Sequence, residues 1–287
     1  MELKFYQNNY PEKIKKLYND CTSNINEVLK IGEKILPLIR QRDKKDSLHD
    51  IRTQQILSLY KEMLERADGI LILIKSNSML NAKIILRSFI EIAFDIRVIL
   101  KDKSDESAFN YMYFKYGDFI LKLETYNKTT EEIQKEWDTL DKFASFYSPF
   151  HLEGSHRMNV KKHLKGWYNY KKKNRIQHKE EIERKYYNNL CMEVHGQNSI
   201  RDNILNEKGI FSLKVLRYPD NAGIVFFTII KFFKEITYLI LDQYVEDEKT
   251  RKEIEKKLNI LFEKGNELDS IGYIAIKEHN IECLELN

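Results

Sequence analysis

Ile14, Leu17, Tyr18, Cys21, Ile25, Val28 and Leu29 recur at intervals of three and four, the spacing that gathers side chains on one face of an α-helix. The run predicts a helix over residues 12 to 45. Pro37 is expected to kink or divide it, because proline lacks an amide donor and crowds the preceding turn. The same period returns at Ile56, Leu59, Tyr60, Met63 and Leu64 and runs into Ile70–Ile74, predicting a helix over 50 to 76. Ser78 is placed to cap a third, over 79 to 101. Ser104 or Asp105 can start a fourth, rich in aromatics (Phe109, Tyr111, Tyr113, Phe114, Tyr116, Phe119). Thr129 followed by Glu132 is a capping-box pattern for a fifth, through about Tyr147.

From Ser148 to Gln177 the period fades among Pro149, Gly154 and Gly166, and a loop or lid is expected. Helical spacing resumes at Glu180 and ends at His195 and Gly196. Residues 209 to 216 read as a short strand or a turn of helix. A core helix follows from about Asn221 to Tyr244, then a charged amphipathic helix from about Asp247 to Glu263 and a mixed tail.

The third helix poses a problem. Arg87, Glu91 and Asp95 lie four apart on a rod otherwise made of Ile, Leu, Phe, Val and Ala, and a helix apolar on nearly every side is a buried one. Burying lone charges costs several kcal/mol each, by order of magnitude. The stripe must pair internally, meet partners on another helix, or face a wet cleft. The first two outcomes are structural and the third is a site.

Composition agrees with a helical reading. Only 10 Gly and 4 Pro interrupt 287 residues, of which 32% are charged and 42% hydrophobic, a balance that favours long amphipathic helices over turn-rich sheets. The expected fold class is all-α, a helical bundle in a single domain over 1–287. Within it, 1–50 form an N-terminal helical extension, 148–177 the basic aromatic loop or lid, and 246–287 a C-terminal helix and tail. Residues 223 to 241 are long enough to span a bilayer but carry Lys231, Lys234 and Glu235 at their middle, so no membrane association is expected. The N-terminus lacks a basic region followed by an apolar stretch, and Cys21, Cys191 and Cys283 are few and scattered. Both features fit a cytoplasmic protein without disulfides.

Charge is unevenly distributed. The chain carries a net +4, yet between Arg157 and Lys185 eleven basic residues face three acidic ones, a local excess of eight. There Trp167, Tyr168 and Tyr170 stand beside Lys171, Lys172, Lys173 and Arg175, offering stacking faces next to phosphate-binding cations. The segment is a candidate RNA contact; read structurally, it is a solvated face. Phosphate loops, nucleotide-binding glycine patterns and serine elbows are absent, which argues against the usual ATPases, dehydrogenases and hydrolases. Cys191 and His195 have ligand spacing but no second dense pair, so neither a metal nor a cofactor is expected.

Tyr187, Cys191 and His195 share a face, with Asn188 close to it. Together with NAKIILRSFIE (81–91), this run resembles an uncharacterised bacterial domain family. That family has an A-x-x-L-L-R-S-x-x-E helix, a variable middle, and then a Tyr, a small residue and His-Gly at four-residue spacing. The resemblance covers roughly 55–245, the family-like core. More remotely, the layout is similar to the HEPN superfamily of helical bundles. Many members of that superfamily are metal-independent endoribonucleases of bacterial toxin–antitoxin, abortive-infection and CRISPR-associated systems. The fold this implies is a HEPN-like core with additional N- and C-terminal helices, and the partners it implies are RNA, a second copy in a homodimer, and a regulatory protein.

The superfamily signature is an Arg four to six residues before a His, with an acidic or polar residue on another helix. His195 and Glu91 match it; the Arg slot holds Asn188, Asn189 or Leu190. Metal-free RNA cleavage needs a group titrating near neutrality and a fixed cation for the developing phosphate charge. His195 suits the first role, and Arg87, held by Glu91, suits the second if the two helices meet, with Tyr187 and Asn188 beside them. Two readings stand: an RNA-acting effector with that site, or a non-catalytic helical module binding a protein or nucleic-acid partner.

Overall fold

The computed structural model describes residues 12–46, 50–102, 105–126, 129–146, 212–213, 221–278 and 284–285. Among these are seven helices: α1 Glu12–Asp46, α2 Ile51–Lys75, α3 Met79–Lys101, α4 Glu106–Thr125, α5 Thr130–Phe146, α6 Ala222–Tyr244 and α7 Glu248–Glu278. The only strands described are β1 Ser212–Leu213 and β2 Leu284–Glu285, which pair antiparallel with Leu213 opposite Leu284. The fold is all-α. The chain forms two compact units, one of residues 1–42, 60–93 and 180–287, the other of 43–59 and 94–179.

In the first unit the predicted apolar face of α1 is buried at Ile14, Leu17, Cys21, Ile25 and Val28. Pro37 does not divide this helix. It lies on an exposed side one turn after exposed Glu33, so water can serve the carbonyl that a proline leaves without an amide. A Cβ on Gly32 would stand 2.2 Å from Leu64 Cδ2, so any larger residue there would have to displace the Leu64 side chain between α1 and α2. Tyr60 of α2 stacks on Phe233 of α6 at 5.9 Å, and its hydroxyl is 3.3 Å from Thr237 Oγ1. Burial pushes the Tyr60 phenol well above its ordinary range.

The α6 segment, apolar enough to raise the membrane question, is a core helix with Val225, Phe226, Ile229, Phe233, Ile236 and Ile240 buried. Among the described residues no helix is long and apolar enough to cross a membrane. Asn221 caps α6, its Oδ1 accepting from the amides of Gly223 (2.9 Å) and Ile224 (3.3 Å). The final helix runs on to Glu278 rather than ending near Glu263. Buried Leu258, Leu261, Leu268 and Ala275 continue the period, while Gly265 and Gly272 sit on the α6 side, where a Cβ would collide with Ile230 and Asn221.

The α2–α3 turn is built by Asn77. Its φ of 53° is the left-handed conformation that ends helices, its amide donates to Ile74 O, and the Ser78 amide reaches back to Leu73 O.

In the second unit Asp50 caps α2, accepting from the Thr53 amide at 3.0 Å, and Arg52 Nη2 donates to Leu100 O at 2.8 Å. The aromatics of α4 form its core: Phe109 stacks on Tyr113 (5.6 Å) and on Phe143 of α5 (5.7 Å). Asp105 occupies the N-cap position of α4 without making a side-chain cap. Asp102 supplies the bond instead, accepting from the Ser107 amide at 3.2 Å. The capping box of α5 forms in both directions, Thr129 N to Glu132 Oε2 (3.1 Å) and Glu132 N to Thr129 Oγ1 (3.3 Å). Tyr116 donates to Glu136, and the bond raises its phenol pKa to about 12.

Candidate functional site

The polar stripe of α3 divides. From Ile92 to Leu100 every residue is buried, including Asp95 and Arg97, each 3% exposed. Before that point one face is open: Leu80 is 55% and Ile84 40% exposed, and the Arg87 and Glu91 side chains are 25% and 39% exposed. Positions 80, 84, 87, 88 and 91 fall on one side of a helix with 3.6 residues per turn, so apolar and charged groups share that face. The expectation of a helix covered all round is corrected for this half. Leu80 and Ile84 are apolar in sequence, but their angular position is that of the charges.

Arg87 Nε lies 3.4 Å from Glu91 Oε1, one turn further on. This is the internal pairing, in a half-exposed setting and not a dry core. In it a carboxylate fixes the orientation of a planar guanidinium. The pair is chemically suited to holding a phosphate oxygen and does not by itself supply a proton-transfer group.

Arg97 was not singled out in sequence, although it stands in the same apolar stretch. Two residues from Asp95, it falls outside the four-residue spacing, and its guanidinium lies over the Phe94 ring at 5.1 Å. Of the sequence-derived site residues, Arg87 and Glu91 are brought together. His195, Tyr187 and Asn188 lie outside the described residues, as do Trp167, Tyr168, Tyr170, Lys171, Lys172, Lys173 and Arg175 of the basic segment.

A separate groove of about 560 Å³ lies between α1 and α7. Leu17, Leu268, Ile271 and Ala275 line it, with Lys16 and Lys264 set against Asp20 and Glu267. Apolar walls under a rim of both charge signs suit an amphipathic segment better than a single anion.

Residues 55–211 match the model of a family described as "Family of unknown function (DUF5677)". No curated protein and no solved structure matches the chain.

Proposed function

The chain belongs to this family of unknown function, and from the more remote HEPN resemblance of its Glu91 and His195 pattern we propose that it is a HEPN-like, metal-independent endoribonuclease acting as an effector in a bacterial defence or toxin system. The observation that carries the reading is the half-exposed Arg87–Glu91 pair on α3, inside the matched segment. A guanidinium on the open face of α3 can be reached by a phosphate from solvent; one sealed in a core cannot. In this reading His195 moves the proton between the 2′-hydroxyl and the leaving oxygen, and Arg87, held by Glu91, stabilises the charge on phosphorus. Tyr187 and Asn188 position the nucleotide, and the basic aromatic segment of 148–177 holds the strand. The protein works in the cytoplasm as a homodimer under a regulatory partner.

The test is controlled expression in bacteria and cleavage of RNA by purified protein in a chelator, for wild type, His195→Ala and Arg87→Ala. Growth arrest and RNA loss with wild type, absent in both variants at unchanged melting temperature, is the expected result. Intact RNA and normal growth with wild type would overturn the reading. A second reading, a non-catalytic helical module, is favoured by the α1–α7 groove, whose apolar walls fit a helix from a protein partner.

A further inference from the structure

Each wall of the α1–α7 groove is one stripe of a helix, from Lys13 to Asn24 on α1 and from Lys264 to Ala275 on α7. The floor is sealed, with Leu17 1% and Leu268 7% exposed, whereas Ile271 and Ile274 stand open to water at 42% and 54%. Four charges of the rim, on Lys16, Asp20, Lys264 and Glu267, form no ion pair and no side-chain hydrogen bond among the described residues. We infer that the groove is the docking site for an amphipathic helix of a protein partner whose charges run acidic, basic, acidic along one flank. The inference rests on the second reading of the groove and names what fills it.

The order of the charges selects the occupant. The Cys21 thiol is pushed up by burial and then by the charges of Asp20 and Asp269, and the Glu253 carboxyl, held down mainly by Lys257, also feels Lys34. Position 21 is thus near 269 and position 34 near 253, so α1 and α7 run antiparallel. On that register Asp20 lies within a turn of Glu267, Lys264 is level with Asn24, and Lys16 stands one turn beyond Asp20. Along the groove the signs therefore run positive, negative, positive. A second copy docked about a twofold axis at the middle would set the Asp20 and Glu267 carboxylates against their own counterparts, an arrangement that like charges oppose. A helix with a basic residue at its centre and an acidic residue one turn to either side meets all four charges. Its apolar positions cover Ile271 and Ile274 and reach the floor at Leu17 and Leu268. The stripe from Lys13 to Asn24 is about 16 Å long, three helical turns, and a segment that short is marginal as a free helix in water, so it orders on docking.

The test is fluorescence anisotropy of the full chain with two end-capped synthetic peptides of about 14 residues, slightly longer than the groove. Both carry Leu on one helical face; one has Glu, Arg and Glu at four-residue spacing on the flank, the other Arg, Glu and Arg. Wild type should bind the first saturably and about tenfold more tightly than the second. Lys16→Glu combined with Lys264→Glu should invert that preference. Ile274→Glu should weaken both peptides about tenfold at unchanged melting temperature, since the side chain it replaces is exposed. Equal binding of the two peptides would keep a helix in the groove and overturn the charge order that identifies it. Binding of neither would overturn the inference together with the second reading. A dimer of the full chain in sedimentation, dissociated by Ile274→Glu, would assign the groove to a second copy and overturn it as well.

Discussion

Asn221 Nδ2 lies 3.0 Å from Asp269 Oδ1, so the residue that caps α6 with its oxygen ties that helix to α7 with its nitrogen. Both functions need the side chain to lie flat against α7, and glycine makes the space. A Cβ on Gly272 would fall 1.8 Å from Asn221 Oδ1, and one on Gly223 would fall 2.1 Å from Leu268 O. Gly223→Ala should therefore destabilise by about 1–3 kcal/mol, since backbone cannot step aside, and Gly272→Ala by a similar amount through loss of the cap. Urea unfolding checks this; a midpoint unchanged in both would mean that the helices separate without cost.

The Arg87–Glu91 pair should contribute little to stability. At its exposure, Arg87→Ala or Glu91→Ala is expected to change the unfolding free energy by less than about 1 kcal/mol. A loss above about 3 kcal/mol, recovered in the apolar double replacement Arg87→Met with Glu91→Leu, would make the pair a buried strut and remove it from any site.

Along the same helix, burial should separate the substitutions sharply. Phe89→Ala, Ile92→Ala and Phe94→Ala, at 0%, 6% and 7% exposure, should each cost about 3 kcal/mol, whereas Leu80→Ala, at 55%, should stay within about 0.5 kcal/mol. Thermal melts of the four variants give the comparison, and equal losses at Leu80 and Phe89 would contradict the one-sided burial of α3.

Asp105 should make the protein sensitive to acid in an unusual direction. Burial raises its carboxyl pKa, as do the charges of Asp50 and Asp102, against the opposing effect of Arg52. The folded state therefore holds the proton more tightly than the unfolded one. The penalty is complete above the folded pKa, shrinks as pH falls through it, and vanishes below the unfolded value. Asp105→Asn should raise the melting temperature at pH 7 and lose that advantage by about pH 3. A difference constant across that range would show that the carboxylate is not penalised.

Local chemistry was legible where a single element decides it. The period of three and four, together with cap residues, placed the starts of all seven described helices to within two residues, and the Thr129–Glu132 box formed as its spacing implied. Errors arose where a distant chain segment decides. Gly265 and Gly272 have low helix propensity and sit beside exposed Ile271, Tyr273 and Ile274, which obscures the apolar period. Only packing against α6 explains why the helix continues through them. Asp105 does stand at the N-cap of α4 as its residue type implied, and only the capping bond differs, coming from the nearby Asp102. At the candidate site the four-residue spacing of Arg87 and Glu91 fixed their pairing. Whether a histidine more than a hundred residues away meets them depends on tertiary packing that periodicity does not encode.

Only Val245, Glu246 and Asp247 separate α6 from α7, and this brevity bears on the order of folding. The bond from Tyr238 to Asn259 closes a span of 21 residues, whereas the contact of Tyr60 with Thr237 closes one of 177. Closing the longer loop costs more chain entropy before any contact rewards it, so the α6–α7 hairpin should assemble first and α2 should dock on it afterwards. Truncating Leu258 would then slow refolding, while truncating Tyr60 would chiefly hasten unfolding, a contrast read directly from the two arms of a chevron plot.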